Sequence, residues 1–179
     1  KLISTHVSQP SQISKRGEPF KMLATTLGGD SFLGRVLTGR IESGTLKTGQ
    51  QLKAISINNE FVENFRVNKI LAFRGLKQQA IDTAEAGDIV SLAGMSKATV
   101  ADTIADQSVE DPIPAQPIDP PTITVTFGIN DSPLAGRDGK KVQSRVIRDR
   151  LLKECESNVA IKMVDTPGGE AFDVSGRGE

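Results

Sequence analysis

Four basic side chains, Arg137, Lys140, Lys141 and Arg145, fall within nine residues of one another and flank Gly136 and Gly139. That combination suits phosphate. Glycine lets backbone approach an anion closely, Lys and Arg supply charge, and a helix beginning nearby adds the partial positive charge of its N-terminus. From Gly136 to Lys153 seven bases face two acids. The same residues also fit a solvated basic helix surface preceded by an ordinary loop, because charge runs commonly serve solubility. Arg35, Arg40 and Lys47 make a weaker version of the phosphate case.

Other chemistries fail on spacing. Gly136-Arg137-Asp138-Gly139-Lys140 resembles a phosphate-binding loop, but Gly-x-x-x-x-Gly-Lys-Ser/Thr would need Gly at 134 and a hydroxyl at 141, where Leu134 and Lys141 stand. Asn68-Lys69-Ile70-Leu71 lacks the final Asp of the guanine-recognition motif Asn-Lys-x-Asp. His6 is the only histidine, so neither a catalytic triad nor a histidine metal site can be built around it. Cys155 sits among apolar helix positions and reads as a small core residue. Asn130-Asp131-Ser132 fits a glycosylation sequon, which a cytosolic chain would not use. No catalytic residue, cofactor site or metal site is assigned.

The chain has 179 residues, enough for one ordinary domain or two small ones. Twenty-two bases cancel 22 acids, so no global field draws the molecule to nucleic acid or membrane, and such binding must be local. One Cys cannot form an internal disulfide, and no apolar run approaches a membrane span. The expected location is cytoplasmic. With no Trp or Tyr and only 7 Phe, the usual platforms for stacking single-stranded bases are scarce.

Three regions differ in composition. Residues 18–107 read as all-β: Phe20–Leu27, Leu33–Ile41, Leu52–Ile57, Asn64–Phe73 and Ile89–Ala93 are rich in β-branched and apolar residues, with Gly, Asn and Asp turns between them. Five or six strands at that spacing predict a small closed barrel. Residues 1–17 carry no pattern and are expected to be a tail. Residues 108–121 hold five Pro and three acids and predict a stiff linker. Beyond it, Thr122–Phe127 alternates as a strand, Asn130–Lys141 is a polar loop, Val142–Cys155 has helical period, and Val159–Val164 and Ala171–Val174 are strands. The order β-α-β-β predicts part of a ferredoxin-like split βαβ unit, so the fold class is mainly β plus α+β. Lacking a second helix over its sheet, this unit should expose apolar surface, favouring mobility or self-association.

Two motif sets carry a family resemblance. Gly34-Arg35-Val36, Gly39-Arg40-Ile41, Gly44-Thr45-Leu46-Lys47-Thr48-Gly49, Ala86-Gly87-Asp88-Ile89-Val90 and Asp102-Thr103-Ile104 resemble the second domain of translational GTPases. Gln50 stands where that family often has Asp, and Ala101 where Gly commonly precedes Asp-Thr. The stretch from Asn130 through Val142, with Ser144-Arg145, Asp149-Arg150-Leu151, Asn158-Val159-Ala160 and Val174-Ser175-Gly176-Arg177-Gly178-Glu179, resembles the third domain of the BipA/TypA group of those GTPases. The Ser-Pro and Gly-x-x-Gly-Lys insert separates that group from elongation factor G.

The resemblance implies a parent that binds and hydrolyses GTP with Mg in a domain preceding the barrel, acts in large-subunit assembly and stress-related translation, and docks on ribosomal RNA and protein. Residues 1–17 would end that absent domain. On this reading the ribosome-facing residues are Arg35, Lys47, Arg137, Lys140, Lys141, Arg145 and Arg177. A reading from another class treats the chain as an autonomous, non-enzymatic adaptor whose barrel binds a protein partner.

Overall fold

The computed structural model describes residues 2–7, 15–30, 32–117, 119–137, 139, 143–168 and 171–178. They fall into two compact units, Lys1–Pro117 and Ile118–Glu179. A five-residue helix, α1 (Leu2–His6), begins the first unit where the sequence pattern predicts only a tail.

The first unit is an antiparallel barrel built from β1 (Lys21–Asp30), β2 (Gly34–Ser43), β4 (Gln51–Ile55), β5 (Phe61–Arg66), β6 (Lys69–Arg74), β9 (Ile89–Ala93) and β10 (Thr103–Ala105). Its strand order is β5-β4-β10-β1-β2-β9-β6, with β7 (Lys77–Ile81) added outside β6. The two ends of this row are one stretch of chain. Strands β5 and β6 are separated by Val67 and Asn68 alone; the Val67 N–H donates to Gln50 on the β4 side, and the Asn68 N–H to Ala93 on the β9 side, at 2.8 Å. Residues 61–74 therefore leave one end of the row and join the other, closing the ring of seven strands. β3 (Thr45–Lys47) and β8 (Thr83–Glu85) pair as a separate two-stranded ribbon, whose Leu46 and Ala84 are buried in the barrel's core.

Alternation explains the interior. Along β2, Leu37, Gly39 and Ile41 face inward and are buried. They meet Met22, Leu52, Ile70, Leu92 and Ile104, all with no exposed surface. The short strands β3, β7, β8 and β10 go beyond the five stretches read from the sequence. Three or five residues carry too little periodicity to separate a strand from a turn. Gly34, Gly44 and Gly49 take positive φ, which glycine adopts without strain.

Ala101 also has positive φ, 71°, while its N–H donates to Ala24 at 2.9 Å. A side chain in that region is strained, so Ala101→Gly should stabilise the barrel by about 0.5–1 kcal/mol after the entropy of a freer unfolded chain is deducted. An unchanged or lower urea midpoint would contradict this.

The start of the proline-rich stretch lies on the barrel: Val109 is buried with Ile55 and Ala105, and the Ile113 N–H donates to Thr103 Oγ1 at 2.8 Å.

The second unit has an antiparallel sheet in the order β11 (Ile123–Gly128), β13 (Ala171–Gly176), β12 (Lys162–Asp165), with helix α2 (Ser144–Ser157) between β11 and β12 in the chain. Strand β13 runs between two mutually parallel neighbours, the topology of a split βαβ unit. One sheet face is polar, where Thr124 pairs with Ser175 and Thr126 donates to Asp173 at 2.6 Å. The other buries Phe172, while Ile123, Val125 and Phe127 on β11 remain 44–52% exposed. Helix α2 presents Ile147, Leu151 and Cys155 as half-buried positions, as its period predicts, and lies against β12. Burial raises the Cys155 thiol above its ordinary value, with Glu154 adding to the effect, so it stays protonated.

Candidate nucleic-acid interface

The loop before α2 is shaped by its own side chains. Asn130 Oδ1 accepts the Ser132 N–H at 3.0 Å, Ser132 Oγ accepts the Leu134 N–H, and Gly136 with φ 88° turns the chain so that Arg137 emerges exposed. Lys140 and Lys141 lie outside the described residues. Gln143 enters the helix in extended conformation and makes no side-chain cap, and the first turn holds no acid. The helix therefore starts without an internal carboxylate to balance its dipole. Arg145 stands exposed in that turn.

Ion pairing sorts the remaining cations of α2. Arg148 grips Asp165 with two hydrogen bonds of 3.0 and 3.1 Å, and Arg150 pairs with Glu154 one turn on. The Arg148 hydrogen bond, joined by its charge, holds the Asp165 carboxyl below its ordinary value. Among the described residues no carboxylate pairs with Arg137 or Arg145. The loop and first turn thus offer charge outward, whereas Arg148 and Arg150 are neutralised within the unit.

The other expected contact residues are differently employed. Arg35 donates through Nη1 to the carbonyls of Ala98 and Lys97, at 3.0 and 3.3 Å, and so fastens the loop joining β9 to β10. Arg177 pairs with Asp119 at 2.7 Å and also donates to that residue's carbonyl. Both guanidinium groups make internal structural bonds that the sequence reading did not include. Lys47 is exposed but lines a polar cavity of about 500 Å³ together with Glu18, Thr45, Gln50 and Asp106. Two carboxylates beside one ammonium make that cavity a poor anion site. Gln50 organises its rim, accepting the Lys47 N–H at 3.0 Å and donating to Asp106 at 2.7 Å.

Sequence reasoning missed the group that anchors the loop on its other side. Glu63 accepts N–H bonds from Ser96, Lys97 and Ala98, the last two at 2.6 and 2.7 Å, and a hydroxyl bond from Ser96. No local signal marks Glu63, since its partners lie more than thirty positions away. Among the described residues there is no cluster of three His, Cys, Asp or Glu able to hold a metal, and no helix long and apolar enough to cross a membrane.

Residues 34–105 match the family described as elongation factor Tu domain 2. Relatives resembling nearly the whole chain carry the name large ribosomal subunit assembly factor BipA. The Synechocystis sp. protein is 40% identical over 97% of this chain and 29% of its own length. The Bacillus subtilis protein is 38% identical over 95% of the chain and 28% of its own length. The Escherichia coli K12 protein is 40% identical over 90% of the chain and 26% of its own length. The chain thus spans less than a third of the length of these relatives.

Proposed function

Because this chain belongs to the BipA family along almost all of its length, we propose that it is a ribosome-docking stretch of a large-subunit assembly factor, holding the barrel and part of the third domain. The docking chemistry is electrostatic: exposed cations, with Arg137 and Arg145 foremost, meet ribosomal RNA phosphates at the loop and first turn of α2. The observation that carries this reading is the pairing pattern, in which Arg148 and Arg150 have internal partners while Arg137 and Arg145 have none among the described residues. Phosphate contacts position a protein on nucleic acid without reading sequence. With few aromatic side chains to stack bases, this is the contact such a surface supports. GTP binding and hydrolysis, with Mg, are assigned to parts of the full-length protein outside this stretch, which needs no cofactor of its own. Its place of work is the cytoplasm.

Co-sedimentation with purified ribosomal subunits tests the proposal. Binding should fall about a hundredfold between 50 and 200 mM salt if about four phosphates are contacted. Arg137→Glu with Arg145→Glu should weaken low-salt binding by about tenfold or more. Adding Lys140→Glu and Lys141→Glu should weaken it further. Co-sedimentation insensitive both to salt and to these changes would reject the docking role.

A further inference from the structure

The β6–β7 hairpin has features that its own chain does not use. Strand β7 pairs with β6 alone, on the outside of the barrel. The tip is Arg74-Gly75-Leu76-Lys77, in which Arg74 and Lys77 are directly opposed and Gly75 has φ 65°. Glycine at the first of two central positions is the requirement of a type II′ hairpin turn, and here it thrusts Leu76 outward, fully exposed. The β6–β9 register ends with Val90 opposite Ala72, so that Ile89 and Phe73 are the next residues on the two strands. These two side chains are 61% and 54% exposed.

Two cations placed opposite each other repel, which costs the hairpin stability. Glu42 is held by Arg40 and Glu85 by Arg16, and Asp88 accepts the Glu85 N–H. Among the described residues no carboxylate pairs with Arg74 or Lys77. An exposed leucine between two uncompensated cations gains from a partner that is anionic and presents a shallow surface with apolar patches. A-form RNA has that surface, because its wide minor groove displays riboses between two rows of phosphate.

We propose that the β6–β7 hairpin is a second RNA-docking element, with Arg74 and Lys77 on phosphates and Leu76 against riboses. Charge complementarity supplies the argument, and the choice of RNA over an acidic protein rests on the ribosome-docking reading above. The hairpin tip lies outside the barrel core, so substitutions there leave the fold intact.

The experiment uses the 179-residue chain with purified ribosomal subunits. Leu76→benzoylphenylalanine is irradiated in the bound complex, and the product is digested with nuclease or with protease. Transfer to ribosomal RNA is expected; transfer to ribosomal protein alone, or no transfer, overturns the proposal. In parallel, Arg74→Glu with Lys77→Glu should weaken low-salt binding about tenfold and reduce the slope of log affinity against log salt by about two. Unchanged affinity and slope would overturn the hairpin assignment while leaving docking through Arg137 and Arg145 standing. Failure of the unsubstituted chain to bind subunits would remove the docking reading itself, and this proposal with it.

Discussion

Gly94→Ala is expected to lower the melting temperature of the barrel by about 10–20 °C, an effect near 3 kcal/mol composed of backbone strain and steric overlap. Gly94 has φ 129°, a conformation rarely open to residues with a side chain, and a Cβ there would lie 2.2 Å from Arg66 O and 3.0 Å from Asn68 N. Both clashes are with backbone, so no side chain can rotate away to relieve them. They fall beside the Asn68 N–H to Ala93 bond, at the point where residues 61–74 pass from one edge of the sheet to the other. Damage at that place reopens the barrel instead of merely denting it. Thermal unfolding followed by circular dichroism provides the measurement. A loss of only one or two degrees would mean that the seam yields easily and that closure at this point contributes little.

Glu63→Ala should cost about 2 kcal/mol at neutral pH, because it strands the three N–H groups that the carboxylate accepts, with water replacing only part of what is lost. The pH dependence follows from the same bonds. Burial on its own would raise the Glu63 carboxyl, but the hydrogen bonds from Ala98, Lys97 and Ser96 outweigh it and leave the carboxyl below its ordinary value of 4.5. A carboxyl lowered in the folded state contributes stability that is present in full above its unfolded value and is lost as pH falls through the folded one. The difference between parent and Glu63→Ala should therefore be constant near neutrality and shrink below about pH 4.5. Asp102 works in the opposite direction: burial and then the Glu63 charge raise it, against the lowering effect of the Thr99 N–H. Substituting Glu63 should accordingly bring Asp102 closer to its ordinary value. Urea unfolding of both proteins across the acid range separates the two effects. An equal gap at neutral pH and well below pH 4 would show that the carboxylate charge is irrelevant to the loop.

Both substitutions act on the first half of one loop, and it was nearly invisible in the sequence. Residues 94–102 contain neither periodic apolar positions nor a run of turn residues, so they read as a plain connection between strands. In the fold Glu63 accepts their N–H groups and Arg35 donates to their carbonyls. The one local hint was Ala101 where the related barrels commonly have Gly, and it corresponds to the positive φ found there.

Local order decided much of this protein. Alternating apolar residues, turns of Gly, Asn and Asp, and the 3.6-residue period of residues 142–155 specify strands, turns and a helix through neighbours a few positions apart, which is why the β-rich barrel and the βαββ order could be read directly. The motif sets that carry the family resemblance are likewise contiguous. What each cation does was decided only by the tertiary structure. Arg35 meets its carbonyl partner 63 positions away, Arg177 meets Asp119 at a separation of 58, and Arg74 faces Lys77 only because a hairpin folds between them. Charge is written in the sequence, but whether it is neutralised depends on distances of a few ångströms between residues far apart in the chain, and only folding sets those distances.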